Sequence, residues 1–304
     1  MLLIGYDVEA GTNGDLLRTT RTTCGADVTR LFLDRAKRLH DQYELPGTMF
    51  VVGEKLPPEI AVFGAHIGNP LLDFQQHTYT HVALKPSVVD TDGRLEFADW
   101  PMARNVEAAH EEIRRASAAF MSHLGRPCVG LSVPYGCFMG LVDRPDLLEV
   151  LRTEEIQYVR SFHLNKETAD RADPLPVDFN VFSYEAQGFP EILELCLKGY
   201  SDVKWALKYG WEARESYVDY VKYSLDIVER AHAVWVLALH DWVQMEFNED
   251  LAILDEIFSH VKRRHIEVRS FGELYARFRS DASMLRREKT RQRWEVTFSR
   301  RLPV

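Results

Sequence analysis

Short β-type runs alternate with amphipathic helical patterns along this chain, and that alternation leaves few folds open to it. Strands joined by helical crossovers lie parallel in a sheet covered by the helices. Residues 2–6 read as the first strand, and 27–43 follow with Val28, Leu31, Phe32, Ala36 and Leu39 at helical spacing. Residues 49–53 read as the second strand. Asn105 can cap a helix running to about residue 123, where Gly125 and Pro127 stop it. The rhythm continues with a strand at 128–133, a helix at 145–155, a strand at 156–161, a helix at 215–231 and the apolar strand 234–239. A helix at 249–264, a short strand at 266–268 and a helix at 271–279 complete it. Residues 82–100 and 165–212 break the rhythm and are expected to be long loops that build the binding site.

No linker or repeat divides the chain, so one α/β domain is expected over residues 1–280. A basic tail, 281–304, follows it. From residue 284 onward seven Arg or Lys face two Glu, and this end is expected to pack on the acidic body or to sit at a homo-oligomer contact.

With 304 residues, 46% of them apolar, the chain can bury a sizeable core, which excludes disorder as its main state. The net charge of −9 argues against a protein that coats nucleic acid or an anionic membrane. The apolar run 233–239 ends at His240 and Asp241, far short of the roughly 18 to 20 residues that a membrane span requires. The N-terminal stretch MLLIGYDVEAG has neither the basic start nor the long apolar region of a secretory signal, so a cytoplasmic location is expected. Cys24, Cys128, Cys137 and Cys196 form no CxxC pair and are expected to be free thiols.

The candidate chemistry lies in three places. In Gln75-Gln76-His77-Thr78-Tyr79-Thr80-His81, two imidazoles four residues apart can reach one metal ion from a helical turn or a tight loop. Thr78 stands where a zincin carries its glutamate, so a base must come from elsewhere. Asp7 and Glu9 supply candidates, because residues two apart at the end of a strand share a face. Val236-Leu237-Ala238-Leu239-His240-Asp241-Trp242 repeats that geometry and delivers a histidine and an aspartate at the end of a buried strand. Two histidines, one carboxylate and an open position suit a catalytic divalent metal, zinc above all. Gly130-Leu131-Ser132-Val133-Pro134 falls short of a nucleophile elbow because Pro134 replaces the second glycine. Neither GxGxxG nor GxxxxGK occurs, which leaves dinucleotide and phosphate-loop chemistry without support.

The order of the Asp7/Glu9 motif, HTYTH, Ser132-Val133-Pro134-Tyr135-Gly136 and LALHDW resembles the NodB-homology polysaccharide deacetylases, carbohydrate esterase family 4, over residues 1 to about 280. The resemblance implies a distorted (β/α)7 barrel and metal-dependent removal of acetyl groups from sugars. It implies Asp7 as general base, Glu9, His77 and His81 as metal ligands, and His240 as general acid. The backbone N–H of Tyr135 would hold the oxyanion, and Leu239 and Trp242 would border the acyl pocket.

Two positions depart from that pattern. Glu9 stands where the family usually has an aspartate, and Ser132 stands where it has an arginine that steadies the catalytic carboxylate. Arg160, at the end of the next strand, is the candidate to replace that charge. The expected substrate is a small carbohydrate, an N-acetylated amino sugar or glycoconjugate. Trp205, Tyr209 and Trp211 are candidate sugar-stacking residues in the second long segment. Hydrolysis of another C–N bond (formamide, ureide or cyclic imide) on the same scaffold, and a catalytically silent carbohydrate- or protein-binding member, are the competing readings.

Overall fold

The computed structural model describes residues 1–14, 25–86, 88–91, 94–97, 100–163, 181–247 and 249–281. The basic tail and Cys24 lie outside the described residues, as does part of the second long segment. In chain order the elements are β1 (Leu2–Val8), α1 (Gly25–Tyr43), β2 (Gly47–Val51), α2 (Ile60–Gly64), β3 (Leu72–Gln76), the pair β4 (Val88–Thr91) and β5 (Arg94–Phe97), α3 (Val106–Leu124) and β6 (Gly130–Phe138). Then come α4 (Pro145–Thr153), β7 (Tyr158–His163), β8 (Val181–Tyr184), β9 (Phe189–Leu195), α5 (Asp202–Tyr209), α6 (Arg214–Arg230), β10 (Trp235–His240), α7 (Asp241–Phe247), α8 (Ala252–Arg263), β11 (Val268–Arg269) and α9 (Phe271–Ser280).

The main sheet runs in the order β10-β1-β2-β3-β6-β7-β9-β8. Every pairing from β10 to β9 is parallel, and β8 is antiparallel to β9. Seven parallel strands are what the resemblance implied, although β3 and β9 were not among the strands expected from the sequence. In β3, Asp73, Gln75 and Gln76 dilute the apolar signal. Gln75 is nevertheless well placed in the barrel wall, where its Oε1 accepts the N–H groups of Val129 and Gly130 at 2.9 and 2.8 Å.

Four strand spacings separate β1 from β7, roughly 19 Å in a flat sheet. Yet Arg160 of β7 touches Asp7 of β1, so the sheet is curled into a barrel. Among the described residues β10 and β9 are not paired, and side-chain bonds cross that gap instead. Trp235 Nε1 donates to Lys198 O at 3.0 Å, and the His240 N–H donates to Asp202 Oδ2 at 2.9 Å.

Strand alternation sends side chains outward to cores under the helices or inward to a core inside the barrel. Leu2, Ile4, Tyr6 and Val8 of β1 point outward and pack with Phe32 of α1, Val221 of α6 and Phe258 of α8. Inside the barrel, Leu3, Phe50, Tyr158, Leu193 and Val236 meet Phe271, Leu274 and Phe278 of α9. That helix closes the N-terminal ends of the strands. Its start is fixed by a capping box between Ser270 and Glu273, and Phe271 N donates to Thr48 Oγ1 at 3.3 Å. The cap expected of Asn105 is also present, with its side chain accepting from Ala108 N at 2.9 Å. Cys128, Cys137 and Cys196 are buried free thiols. Among the described residues no helix is long and apolar enough to cross a membrane.

Candidate active site

At the open end of the barrel, opposite α9, the strand ends deliver charged side chains into one cleft of ≈ 220 Å³. Asp7 comes from the inner face of β1 and Glu9 from just beyond it. His77 and His81 come from the loop after β3, and His240 ends β10. All five line the cleft, together with Arg160, Tyr135 and Trp242.

The HxxxH residues sit on a tight loop. Thr78 and His81 have φ of 56° and 57°, left-handed values that an L-residue adopts at a cost of about 1–2 kcal/mol. Tyr135, at φ 62°, shares this feature. Strained backbone of this kind collects at functional sites and persists when its surroundings hold it. Here Glu112 of α3 holds the loop by accepting the N–H groups of Tyr79 and Thr80 at 3.0 and 2.7 Å and the Thr80 hydroxyl at 2.9 Å.

Glu9, His77 and His81 are all buried, and their nearest donor atoms lie within 4.8 Å of one another. Glu9 Oε2 is 2.7 Å from His81 Nε2 and 3.3 Å from His77 Nε2. His77 Nδ1 lies 2.7 Å from the Ser132 carbonyl, which can only accept, so that nitrogen carries the proton. Its Nε2 then presents a lone pair to the Glu9 carboxylate, and the two need a cation or a second proton between them. A divalent ion fits this donor set of two imidazole nitrogens and one carboxylate oxygen. Burial pushes the Glu9 carboxyl up, but the two imidazoles outweigh it and hold the group well below the usual carboxylate range.

Asp7 is supported as its position on β1 requires. Burial raises its carboxyl, whereas Arg160 above all, with His77 and His240, holds it below the ordinary value. The β6–β7 register sets Ser132 beside Arg160, and Ser132 Oγ accepts Arg160 Nη2 at 2.6 Å and Nε at 3.1 Å. The serine thus orients Arg160 toward Asp7. His240 Nε2 stands 3.6 Å from Asp7 Oδ2, while its Nδ1 bonds Asp202 Oδ1 at 2.6 Å. Burial alone lowers this imidazole, but Asp202 overcomes it and raises the value to about 9.

Asp202 was not among the residues singled out from the sequence, and neither was Glu112. Both act from elements remote in sequence from what they hold. The signal for α5 was present, since Ser201 caps it by accepting from Lys204 N at 3.4 Å. Asp241, next to His240, turns away from the cleft and accepts the N–H groups of Glu9 and Ala10, each at 3.0 Å. Burial raises its carboxyl to about 6.

Four of the expected substrate contacts, Leu239, Trp205, Trp211 and Tyr209, are not among the residues that line the cleft. Leu239 is fully buried in the outer core, because alternation along β10 sends Val236, Ala238 and His240 inward and Leu237 and Leu239 outward. Trp205 is a core residue of α5, with its ring stacked on Tyr220 at 5.0 Å and its Nε1 bonded to Ala213 O at 3.0 Å. Trp211 is packed against the same core, its ring 6.0 Å from Trp242, and it is not among the residues that line the cleft. Tyr209 is exposed but leans on Trp205, away from the lining. The aromatic wall belongs instead to Trp100, stacked on Tyr135 at 4.6 Å with their planes 8° apart. Tyr135 in turn meets His81 edge-on at 4.9 Å.

No protein-family model matches this chain, and no curated protein does. Solved structures do. A Mycobacterium smegmatis protein provisionally assigned as a polysaccharide deacetylase aligns over 92% of this chain and 90% of its own, with a TM-score of 0.63 at 15% identity. A Pseudomonas aeruginosa PAO1 protein with a similar provisional assignment covers 92% and 91%, with a TM-score of 0.62 at 15% identity. PuuE allantoinase covers 92% and 90%, also at 0.62 and 15%. This chain therefore has the NodB-type fold of the polysaccharide deacetylases, a mixed α/β structure around a parallel sheet.

Proposed function

We propose that this protein is a metal-dependent hydrolase that removes an acetyl group from the nitrogen of an amino sugar or small glycoconjugate. The observation that carries the reading is the arrangement of Asp7 and His240 around the Glu9, His77 and His81 group. Asp7 is kept ionised beside Arg160, and His240 is kept protonated by Asp202. One ionised carboxylate and one charged imidazole, 3.6 Å apart, are the base and acid that amide hydrolysis needs. A divalent ion held by Glu9, His77 and His81, zinc on the evidence of the donor set, would supply Lewis-acid polarisation of the amide carbonyl.

Asp7 takes a proton from water as its oxygen attacks the carbonyl carbon. The backbone N–H of Tyr135 donates to the oxygen that becomes negative. His240 delivers its Nε2 proton to the amide nitrogen, the C–N bond breaks, and a carboxylate and an amine leave. Trp242 and Ala238 border the acyl group, and Trp100 with Tyr135 offers a flat face to the body of the substrate.

Incubating the zinc-loaded protein with N-acetylated amino sugars and measuring released acetate tests this reading. Acetate release that a chelator abolishes and zinc restores is the expected result. A protein that binds zinc at these residues but releases acetate from none of them removes the deacetylase reading. The same flat wall of Trp100 and Tyr135 also suits a planar ring, so ring opening of a cyclic imide or ureide is the second reading. It predicts a carboxylate product without acetate, whereas a silent binding protein yields neither.

A further inference from the structure

We propose that the indole N–H of Trp242 is a positioning group for Glu9: it occupies Oε1 and so presents Oε2 alone to the metal position. This inference rests on the metal reading above and goes beyond the role of Trp242 as a wall of the acyl pocket.

The two oxygens of the Glu9 carboxylate have separate partners. Trp242 Nε1 donates to Oε1 at 2.9 Å, while His81 Nε2 and His77 Nε2 lie 2.7 and 3.3 Å from Oε2. Glutamate has one more rotatable bond than the aspartate usual here, so more of its orientation must be fixed from outside. The backbone of Glu9 is already pinned, because its N–H donates to Asp241 Oδ1 at 3.0 Å. Only the side-chain torsions remain, and the indole holds their far end. Trp242 is itself held, 2% exposed, with its backbone N–H donated to Asp241 Oδ1 at 2.9 Å. The consecutive residues Asp241 and Trp242 thus grip the main chain and the side chain of one ligand. A carboxylate restrained to one oxygen contributes a single donor beside two imidazoles, which keeps room for water and substrate. Outer partners of this kind commonly change metal affinity by about 10- to 100-fold.

A buried indole N–H also needs a partner for ordinary reasons, so the test must separate positioning from packing. Zinc affinity is measured by competition with a chromophoric chelator for wild type, Trp242→Phe, Glu9→Asp and the double variant, and the unfolding midpoint of each is measured without metal. The expected result is a zinc Kd about 10- to 100-fold weaker for Trp242→Phe. In the Glu9→Asp background the carboxylate is about 1.5 Å shorter and out of reach of the indole. There Trp242→Phe should change Kd less than about twofold, because the bond it removes is already gone. A Trp242→Phe protein that binds zinc as tightly as wild type, or that loses as much affinity in both backgrounds, overturns the proposal. Should Trp242→Phe fail to fold, benzothienylalanine at this position keeps the ring shape, lacks the N–H and carries the same expectations. Wild type that binds no zinc overturns the metal reading itself, whereas wild-type binding with an unaltered Trp242→Phe Kd overturns this inference alone.

Discussion

The two ends of the barrel bury opposite things. At the end closed by α9, the interior is Leu3, Phe50, Tyr158, Phe271, Leu274 and Phe278, and its burial is what hydrophobic stabilisation requires. At the other end Asp7, Glu9, His77, His81 and Arg160 are also nearly inaccessible, at 6%, 3%, 1%, 2% and 1% exposure. Burying charge costs free energy that pairing at best offsets, so the second end costs stability where the first contributes it, and such a cluster marks a candidate functional site. The difference shows which half of the molecule selection for folding explains and which it does not.

The largest effects should come from cutting each end once. Arg160→Met strands the Asp7 carboxylate without its cation and should destabilise the fold by about 3–5 kcal/mol in urea unfolding. Leu274→Ala at the closed end should cost a comparable amount, about 2–5 kcal/mol. The two should differ in activity per folded molecule, lost in the first and kept in the second. Equal loss of activity in both would break the division between the ends.

Within the open end, Asp7→Asn and His240→Ala should each lower kcat by about 10²- to 10⁴-fold while zinc content measured by elemental analysis stays near wild type. Loss of zinc along with activity would place these side chains among the ligands rather than beside them. An active Asp7→Asn protein would move the base elsewhere.

Much of the open end was legible because its information is local. HTYTH, the Asp7/Glu9 pair and LALHDW each bring their residues to the cleft through a few consecutive positions. Arg160 could be found because β6 and β7 are neighbours in sequence as well as in the sheet. What stayed hidden depends on distant partners. Asp202 reaches His240 across the gap between β9 and β10, and Glu112 reaches the histidine loop from α3. Leu239 differs for another reason, since alternation from His240 sends it outward into the core. Trp205 falls in a segment that breaks the strand–helix rhythm, yet Ser201 and the apolar positions Val203, Ala206 and Leu207 mark the start of an amphipathic helix. β3 was missed because polar side chains on a strand inside a barrel do not show the apolar run that a buried parallel strand usually has.

A smaller effect, and a sharper one, should follow from Asp202→Asn. His240 must be protonated to act as acid, and Asp202 holds its value at about 9, so kcat/KM should fall as pH rises through about 9. Without that carboxylate burial still favours the neutral imidazole, so the value drops and the alkaline limb moves toward neutral pH. Activity should therefore fall at pH 8 and recover on acidification, down to the point where Asp7 takes up a proton. A limb that stays near pH 9 in the variant would mean that His240 is not the acid, or that Asp202 does not set its charge.

The smallest expected effect, that of Trp100→Ala on KM, separates the two tryptophans between which the aromatic wall is divided. Trp100 is 37% exposed where it lines the cleft, and Trp205 is 7% exposed within the core. An aromatic face contributes about 0.5–1.5 kcal/mol beyond its buried area, so Trp100→Ala should raise KM about 3- to 10-fold and leave kcat and stability near wild type. Trp205→Ala should do the reverse: the fold loses about 3–5 kcal/mol, and the molecules that remain folded keep their KM. Steady-state kinetics together with unfolding curves for both variants decide it. An unchanged KM in Trp100→Ala would leave the substrate held by Tyr135 and Trp242 without the stacked wall, and a raised KM in Trp205→Ala would show that the core of α5 shapes the cleft from behind.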